Sequence, residues 1–426
     1  MTDVLAPPST SRPAVRAATR ASLGFGPALV TAVAYVDPGN VAINFSAGSG
    51  YGYALLWVVV AAGASAGVIQ YLSAKLGACT GRSLTQSVGA ALGRRARLAY
   101  WAQAELVAAA TDVAEVVGGA VALHLLFGLP LWIGAVATAV ASSVLLRLRT
   151  ARGGNAFAVA VTAALALIAC GFIGCMVAAG PSATGMASGL RPLLPDGQAL
   201  LLASGIFGAT VMPHAVYVHS ALSRDSADTL GGPAGGLPGD LISGTGRIRE
   251  TLSVTRSGVV FAMLLAGTVN AALLIMAAAL PHGGPQELEE IHGTVGTLLG
   301  AAPALALALA LLFSGLASTA VGTHAGDIAM KDLLRRRVPA WVRRLAALAP
   351  AVLLLVVGVD TTRLLVLSQV GLSVGIPFAL VPLIVFTSRR SLMGSAVNHR
   401  ATTVAASAVA ATAIVINGVL LVQLAF

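Results

Sequence analysis

Eleven separate stretches of this chain stay apolar for about twenty residues, the length a helix needs to cross a bilayer core. They lie near 24–48, 53–77, 99–127, 129–146, 156–179, 198–222, 257–281, 300–330, 341–358, 363–387 and 402–425. No other feature constrains the fold as strongly, because in lipid every backbone polar group has to be satisfied inside a helix or a closed barrel. A barrel would alternate polar and apolar residues over about ten positions. Here the runs are unbroken, as in VVVAAGASAGVIQYL and VLLLVVGV. Composition points the same way. Of 426 residues, 57% are hydrophobic and 10% charged, where a soluble domain carries about 25% charged residues. The 48 glycines suit helices packed closely through small side chains. The expected class is an all-α polytopic membrane protein.

Residues 1–22 contain Pro7, Pro8, Pro13 and three arginines, so they read as a polar arm without the apolar core of a signal peptide. Cys79, Cys170 and Cys175 match no paired metal or disulfide framework, and Cys170 and Cys175 read as packing residues of one apolar run. The net charge of +10 would in a soluble protein raise nucleic acid as a partner. With the spans placed, 24 of the 26 lysines and arginines fall on one side, leaving Arg191 and Arg363 on the other. The positive-inside rule then predicts a cytoplasmic N-terminus and an outer C-terminus, and the basic charge is topology rather than nucleic-acid binding. Residues 223–256, rich in Gly, Ser, Pro and Asp, are expected to be a flexible cytoplasmic loop. The acidic segment near Glu287, Glu289 and Glu290 is expected to be a solvated helix face.

Two spans carry interruptions. In the first, GPALVTAVAYVDPGNVAINFSAGSG, the residues Asp37, Pro38, Gly39 and Asn40 sit mid-run. A Pro-Gly pair removes a backbone donor and loosens the chain, so the helix should break there. The alternative, a turn between two short helices, leaves only about twelve residues on either side, too few to span. A carboxylate at that depth costs at least about 2.5 kcal/mol on insertion scales and marks function. The sixth span, ASGIFGATVMPHAVYVHSAL, repeats the device at Pro213, which frees the Ala209 carbonyl four residues back. The two breaks are 172 residues apart and each opens a block of five spans. Matched broken helices in two halves are the best sequence pointer to a transporter's central site.

Together the breaks offer a carboxylate (Asp37), an amide (Asn40), a freed carbonyl (Ala209) and a thioether (Met212). Oxygen alone would suit Mg²⁺ or Ca²⁺; a thioether favours later first-row ions such as Mn²⁺ or Fe²⁺. Met212 by itself would be core filler, but in a proline break facing Asp37 it reads as a ligand. The third span, WAQAELVAAATDVAEVVGG, places Glu105, Asp112 and Glu115 within an arc of roughly 80° on one helix face. Such a stripe suits a proton or ion path; its alternative is neutralisation by buried partners such as Arg343 or Arg344. His214, beside the second break, is the residue type that titrates near neutral pH and suits proton exchange. His219 reads as a packed histidine. Gln369, early in the tenth span, either joins the cation site or bonds between helices.

On these residues the chain resembles the natural resistance-associated macrophage protein family, in particular its bacterial branch often called manganese transport proteins. The resemblance covers nearly the whole chain: DPGN, ATDVAEVVG, VMPH followed by YVHSAL, and SQVGLSVGIPFALVPL. It implies an inverted five-plus-five helix repeat of the amino-acid transporter type with an added eleventh helix. The corresponding division is an arm at 1–22, a first repeat at 23–180, a second at 181–397 and the last helix at 398–426. The resemblance further implies import of Mn²⁺, Fe²⁺ and related ions with protons across the bacterial cell membrane, with no resident cofactor and no enzymatic activity. Asp37, Asn40, the Ala209 carbonyl and Met212 match the metal ligands and Gln369 a ligand of the occluded state. Asp112, Glu115 and His214 match the proton route, with Arg343 and Arg344 at its basic end. Ala215 stands where the family usually has Asn, Asp327 where it tends to have Gln, and Asp332 where it tends to have Gly. Rival classes are a cation channel, which needs no titratable relay, and a same-fold carrier of Mg²⁺, organic cations or amino acids. A metalloenzyme would need a metal-bound water and a general base, and no HExxH-type pair appears.

Overall fold

The computed structural model describes residues 25–152, 154–229, 241–281, 287–335, 338 and 340–425, and among them every regular element is helical. The first apolar run becomes α1 (Phe25–Val36), whose last turn Val33–Val36 tightens to a 3₁₀ helix, and α2 (Pro38–Tyr51). Then follow α3 (Leu56–Thr80), α4 (Leu84–Ala91), α5 (Arg94–Phe127), α6 (Leu131–Arg152), α7 (Gly154–Ala178) and α8 (Ala183–Gly189). The second half opens with another split pair, α9 (Gly197–Thr210) and α10 (Pro213–Thr229). It continues through α11 (Leu241–Ala279), α12 (Leu288–Leu299), α13 (Ala301–Ala329), α14 (Ala340–Val356), α15 (Thr361–Ser388), α16 (Arg390–Met393) and α17 (Arg400–Ala425). Each of the eleven apolar runs is occupied by helix. Among the described residues, eight helical stretches are long and apolar enough to cross a membrane, while α1 and Leu131–Val144 of α6 are shorter apolar helices.

The broken helices are the centre of the bundle and the last helix is its edge. In its most apolar stretch the sixth span is 89% buried and the third 72%, against 22% for α17. Helices in lipid associate through close packing rather than water exclusion, and glycine supplies the closest approach. A Cβ at Gly118 of α5 would stand 2.0 Å from the Pro38 Cβ. The third span is thereby seated directly on the first break. Larger apolar contacts complete the core, with Tyr35, Phe45, Phe172 and Tyr217 fully buried.

Two expectations need correction. Helix runs further into 223–256 than composition implies, to Thr229 from one side and from Leu241 on the other; residues 230–240 lie outside those described. A helix already formed in a span needs no new nucleus, so it propagates cheaply into polar sequence. Cys170 is exposed and only Cys175 is buried. Five residues turn a helix by about 140° beyond a full circle, which places the two on different faces. The acidic segment is α12, with Leu288, Ile291 and Val295 buried and Glu289 and Glu290 in its first turn.

Candidate metal-transport site

At the first break Asp37 leaves helical geometry (φ −72°, ψ 166°) and caps α2. One carboxylate oxygen, Oδ1, accepts from the Asn40 backbone N–H at 2.7 Å and from Asn40 Nδ2 at 3.0 Å. Such a cap is what a carboxylate does best at a helix N-terminus. The second oxygen, Oδ2, is buried without a hydrogen-bond partner. At the second break α9 ends at Thr210 and α10 begins at Pro213, leaving Val211 and Met212 between them. The Ala209 carbonyl accepts from Asn40 Nδ2 at 2.8 Å. The amide of Asn40 therefore ties the two breaks together, while its own Oδ1 is buried and unpartnered. Met212 is fully buried in the gap.

The Gln369 side chain lies directly over the break. A Cβ at Gly39 would fall 1.6 Å from Gln369 Nε2, and the Gln369 amide faces the Asp37 carboxyl. Its Oε1 also has no partner. Asp37, Asn40, Ala209, Met212 and Gln369 thus converge, with three unused acceptor oxygens among them. Buried acceptors without partners are rare in a settled core. The negative end of α9 adds to the same potential. Among the described residues there is no cluster of three or more His, Cys, Asp or Glu that could hold a metal. The donor set here is one carboxylate with neutral oxygens and a sulfur.

The third span brings Asp112 and Glu115 together. A Cβ at Gly322 of α13 would lie 3.2 and 3.4 Å from the two Glu115 carboxylate oxygens and 3.6 Å from Asp112 Oδ1. The two carboxylates therefore flank one point on α13, with Ser318 and Thr319 beside Glu115. Glu105 is half-buried, roughly 10 Å further along α5 at 1.5 Å per residue. His214 is buried with Nδ1 unpartnered. The side chains of Arg343 and Arg344 lie outside the described residues. His219 is packed as expected: its Nδ1 is 2.6 Å from Gln70 Oε1, and Gln70 Nε2 donates to the Tyr35 hydroxyl.

Several polar residues that support the first break escaped the sequence reading. Asn270 Nδ2 donates to the Tyr35 carbonyl at 2.9 Å, the Ser314 hydroxyl donates to the Val36 carbonyl, and Asn44 Nδ2 donates to the Asn40 carbonyl at 2.8 Å. Asn270 and Ser314 take carbonyls orphaned where α1 ends, and Asn44 adds a side-chain bond within the first turns of α2. Their signal was the one that drew notice to Gln369: a single amide or hydroxyl inside an apolar run.

None of the three departures is one of these converging residues. Ala215 is buried and Asp327 exposed. Asp332, in a π-helical turn at Met330–Leu334, accepts from Ser83 Oγ at 2.8 Å and Thr85 Oγ1 at 2.5 Å. Ser83 also caps α4, whose Leu84 N–H donates to Ser220 of α10 at 3.0 Å. Where the family tends to have glycine, this chain clips α4 to the end of the eighth span.

The model of the family described as natural resistance-associated macrophage protein-like matches residues 28–423. The chain belongs to this family. A relative from Mycobacterium tuberculosis (strain H37Rv), the divalent metal cation transporter MntH, is 51% identical over 380 residues, covering 89% of this chain and 86% of that protein. The Deinococcus radiodurans protein of the same name is 42% identical over 403 residues, covering 94% and 89%. Among solved structures, a mutant of the Eremococcus coleocola manganese transporter superposes with a TM-score of 0.81 at 28% identity, over 98% of this chain and 88% of that one. Mhp1, a nucleobase-cation-symport-1 family transporter in a closed conformation, matches at TM-score 0.56 and 18% identity over 84% and 77%, a likeness of fold alone. Membership in the Nramp family and the apolar helices make this a multi-pass membrane protein.

Proposed function

We propose that this Nramp protein is a secondary active transporter that carries divalent transition-metal ions, Mn²⁺ and Fe²⁺ among them, into the cell together with protons. The observation that carries the reading is the donor set: Asp37 and Asn40 each keep a buried oxygen unpaired beside the buried Met212 thioether. One carboxylate makes a dication tolerable at that depth, and the sulfur favours softer ions over Ca²⁺ and Mg²⁺. The names of the relatives, divalent metal cation and manganese transporters, support the same substrate class.

The resting hydrogen bonds suggest how the ion is received. The Asn40 amino group occupies the space between Asp37 Oδ1 and the Ala209 carbonyl. Turning that amide over would withdraw its protons and present Oδ1, so the ion takes the place of an N–H₂ group on the same two oxygens. Gln369 closes the other side. Asp112 and Glu115, paired across Gly322, and His214 beside the break provide titratable groups along which a proton is passed. The sidedness of the basic residues supports a cytoplasmic N-terminus and an outer C-terminus in the cell membrane.

Purified protein in liposomes with an internal pH dye tests the reading. Mn²⁺ uptake should rise when the outside is acidified and be accompanied by proton entry. Uptake of Mn²⁺ with no dependence on a proton gradient would overturn coupled transport in favour of a channel. Transport of Mg²⁺ in preference to Mn²⁺ would overturn the assigned substrate class.

A further inference from the structure

Away from the broken helices, α4, α5 and α15 border an open cleft of about 380 Å³, lined by Val88, Leu92, Tyr100, Phe378, Val381 and Phe386 among others. Apart from the Tyr100 phenol its walls are apolar, and that hydroxyl is already engaged, donating to the Phe378 carbonyl at 2.7 Å and standing 3.1 Å from the Tyr217 hydroxyl. Water needs two to four polar partners to stay in a cavity, and none is free here. The occupant has to be apolar. Phe378 and Val381 are each 46% exposed on a membrane-spanning helix, so the cavity opens where lipid tails are.

The rim supplies a second, independent observation. Arg389 lies over the Phe386 ring, 5.8 Å from its centroid, and is followed by Arg390. Arg94 and Arg95 open α5 two residues past Leu92. All four are exposed, and none has a carboxylate partner among the described residues. They sit at the end of the bundle that carries nearly all the basic charge, where headgroups lie if the positive-inside assignment holds. Guanidinium groups bind phosphate oxygens in pairs, and basic pockets between membrane helices on that side recognise anionic headgroups. We propose that this cleft is a binding site for an anionic phospholipid of the surrounding bilayer. One acyl chain lies between α4, α5 and α15 against Tyr100, and the phosphate rests on Arg94, Arg95 and Arg389. Four unneutralised cations favour a headgroup with net negative charge over a zwitterionic one. Because Tyr100 pairs with Tyr217 of α10, the lipid bears on the helix that carries the second break.

Native mass spectrometry of the full-length protein, titrated with phosphatidylglycerol or phosphatidylcholine, tests this without reference to transport. Wild type should retain one phosphatidylglycerol at about tenfold lower lipid concentration than phosphatidylcholine, a difference of about 1.4 kcal/mol. Ala91→Trp, which fills the cleft, should abolish that retained lipid. The exposed double variant Arg94→Gln with Arg389→Gln should lower phosphatidylglycerol retention to the phosphatidylcholine level. Val140→Trp, on the 58% exposed face of α6, should behave as wild type. If Ala91→Trp does not purify as a folded protein, the arginine variant, whose two substitutions are at exposed positions, decides alone. Equal retention of the two lipids by wild type would overturn the proposal. So would unchanged phosphatidylglycerol retention in the arginine variant.

Discussion

At Pro213 the sixth span stops, whereas α15 runs straight through Pro377 and Pro382. Each proline orphans the carbonyl four residues before it, and in each case a side chain from another helix takes that oxygen. Asn417 Nδ2 donates to the Ser373 carbonyl at 2.6 Å, the Tyr100 hydroxyl to Phe378 at 2.7 Å, and Asn40 Nδ2 to Ala209 at 2.8 Å. What differs is the remainder of the partner. Asn417 Oδ1 accepts in turn from Ser373 Oγ at 2.5 Å, so that network is closed. Asn40 Oδ1 and Asp37 Oδ2 accept nothing. A proline in a membrane helix is therefore not in itself a site. The sealed prolines leave the tenth span one continuous helix, braced from α5 and α17. Beside the unsealed one stand buried acceptor oxygens without partners, at a usual cost of about 1–3 kcal/mol each, and a cation bound there would relieve it.

The largest effect should come from the open break. Asp37→Asn keeps the oxygen that caps α2 but removes the charge, leaving a dication only neutral donors. Mn²⁺ uptake should fall below detection while size-exclusion behaviour and melting stay those of wild type; normal uptake would remove Asp37 from the site. Next in size is coupling. Glu115→Gln and His214→Ala should each reduce proton entry per Mn²⁺ several-fold while changing Mn²⁺ affinity less. Simultaneous dye and isotope fluxes measure that ratio, and an unchanged ratio in both would make these groups structural. Met212→Ala should lower Cd²⁺ affinity by about tenfold or more, equivalent to 1.4 kcal/mol. Mn²⁺ uptake should survive in part and Ca²⁺ or Mg²⁺ begin to compete. Equal losses for all ions would make the sulfur packing. The smallest functional effect belongs to the sealed prolines. Asn417→Ala should destabilise the protein by about 1–3 kcal/mol, the usual cost of stranding a buried partner, yet leave uptake per folded molecule unchanged.

Both breaks were legible because their causes are local: DPGN and MPH each carry the proline and the ligands within four residues. The pairing of Asp112 with Glu115 followed from helical spacing alone. The supports were not legible, for a physical reason. Asn270, Ser314, Gln70 and Asn417 are single polar residues in apolar runs, and helical periodicity says which face they occupy but not which helix that face meets. Asp332 shows the same limit from the other side. Its difference from the family pattern was visible, but its acceptance of two hydroxyls from the α4 cap depends on a contact 247 to 249 residues distant in sequence. The helical ends of the 223–256 segment were hidden because composition reports solvation, while propagation from a formed span depends on what precedes it.

The claim that the open break is a metal site with a sulfur ligand is tested most directly by X-ray absorption at the Cd edge on the Cd²⁺-loaded protein. The account predicts oxygen neighbours and one sulfur neighbour in wild type, with the sulfur shell lost in Met212→Ala and kept in Cys175→Ser and Asn417→Ala. A wild-type spectrum with oxygen neighbours alone, or a sulfur shell that persists in Met212→Ala, would contradict it.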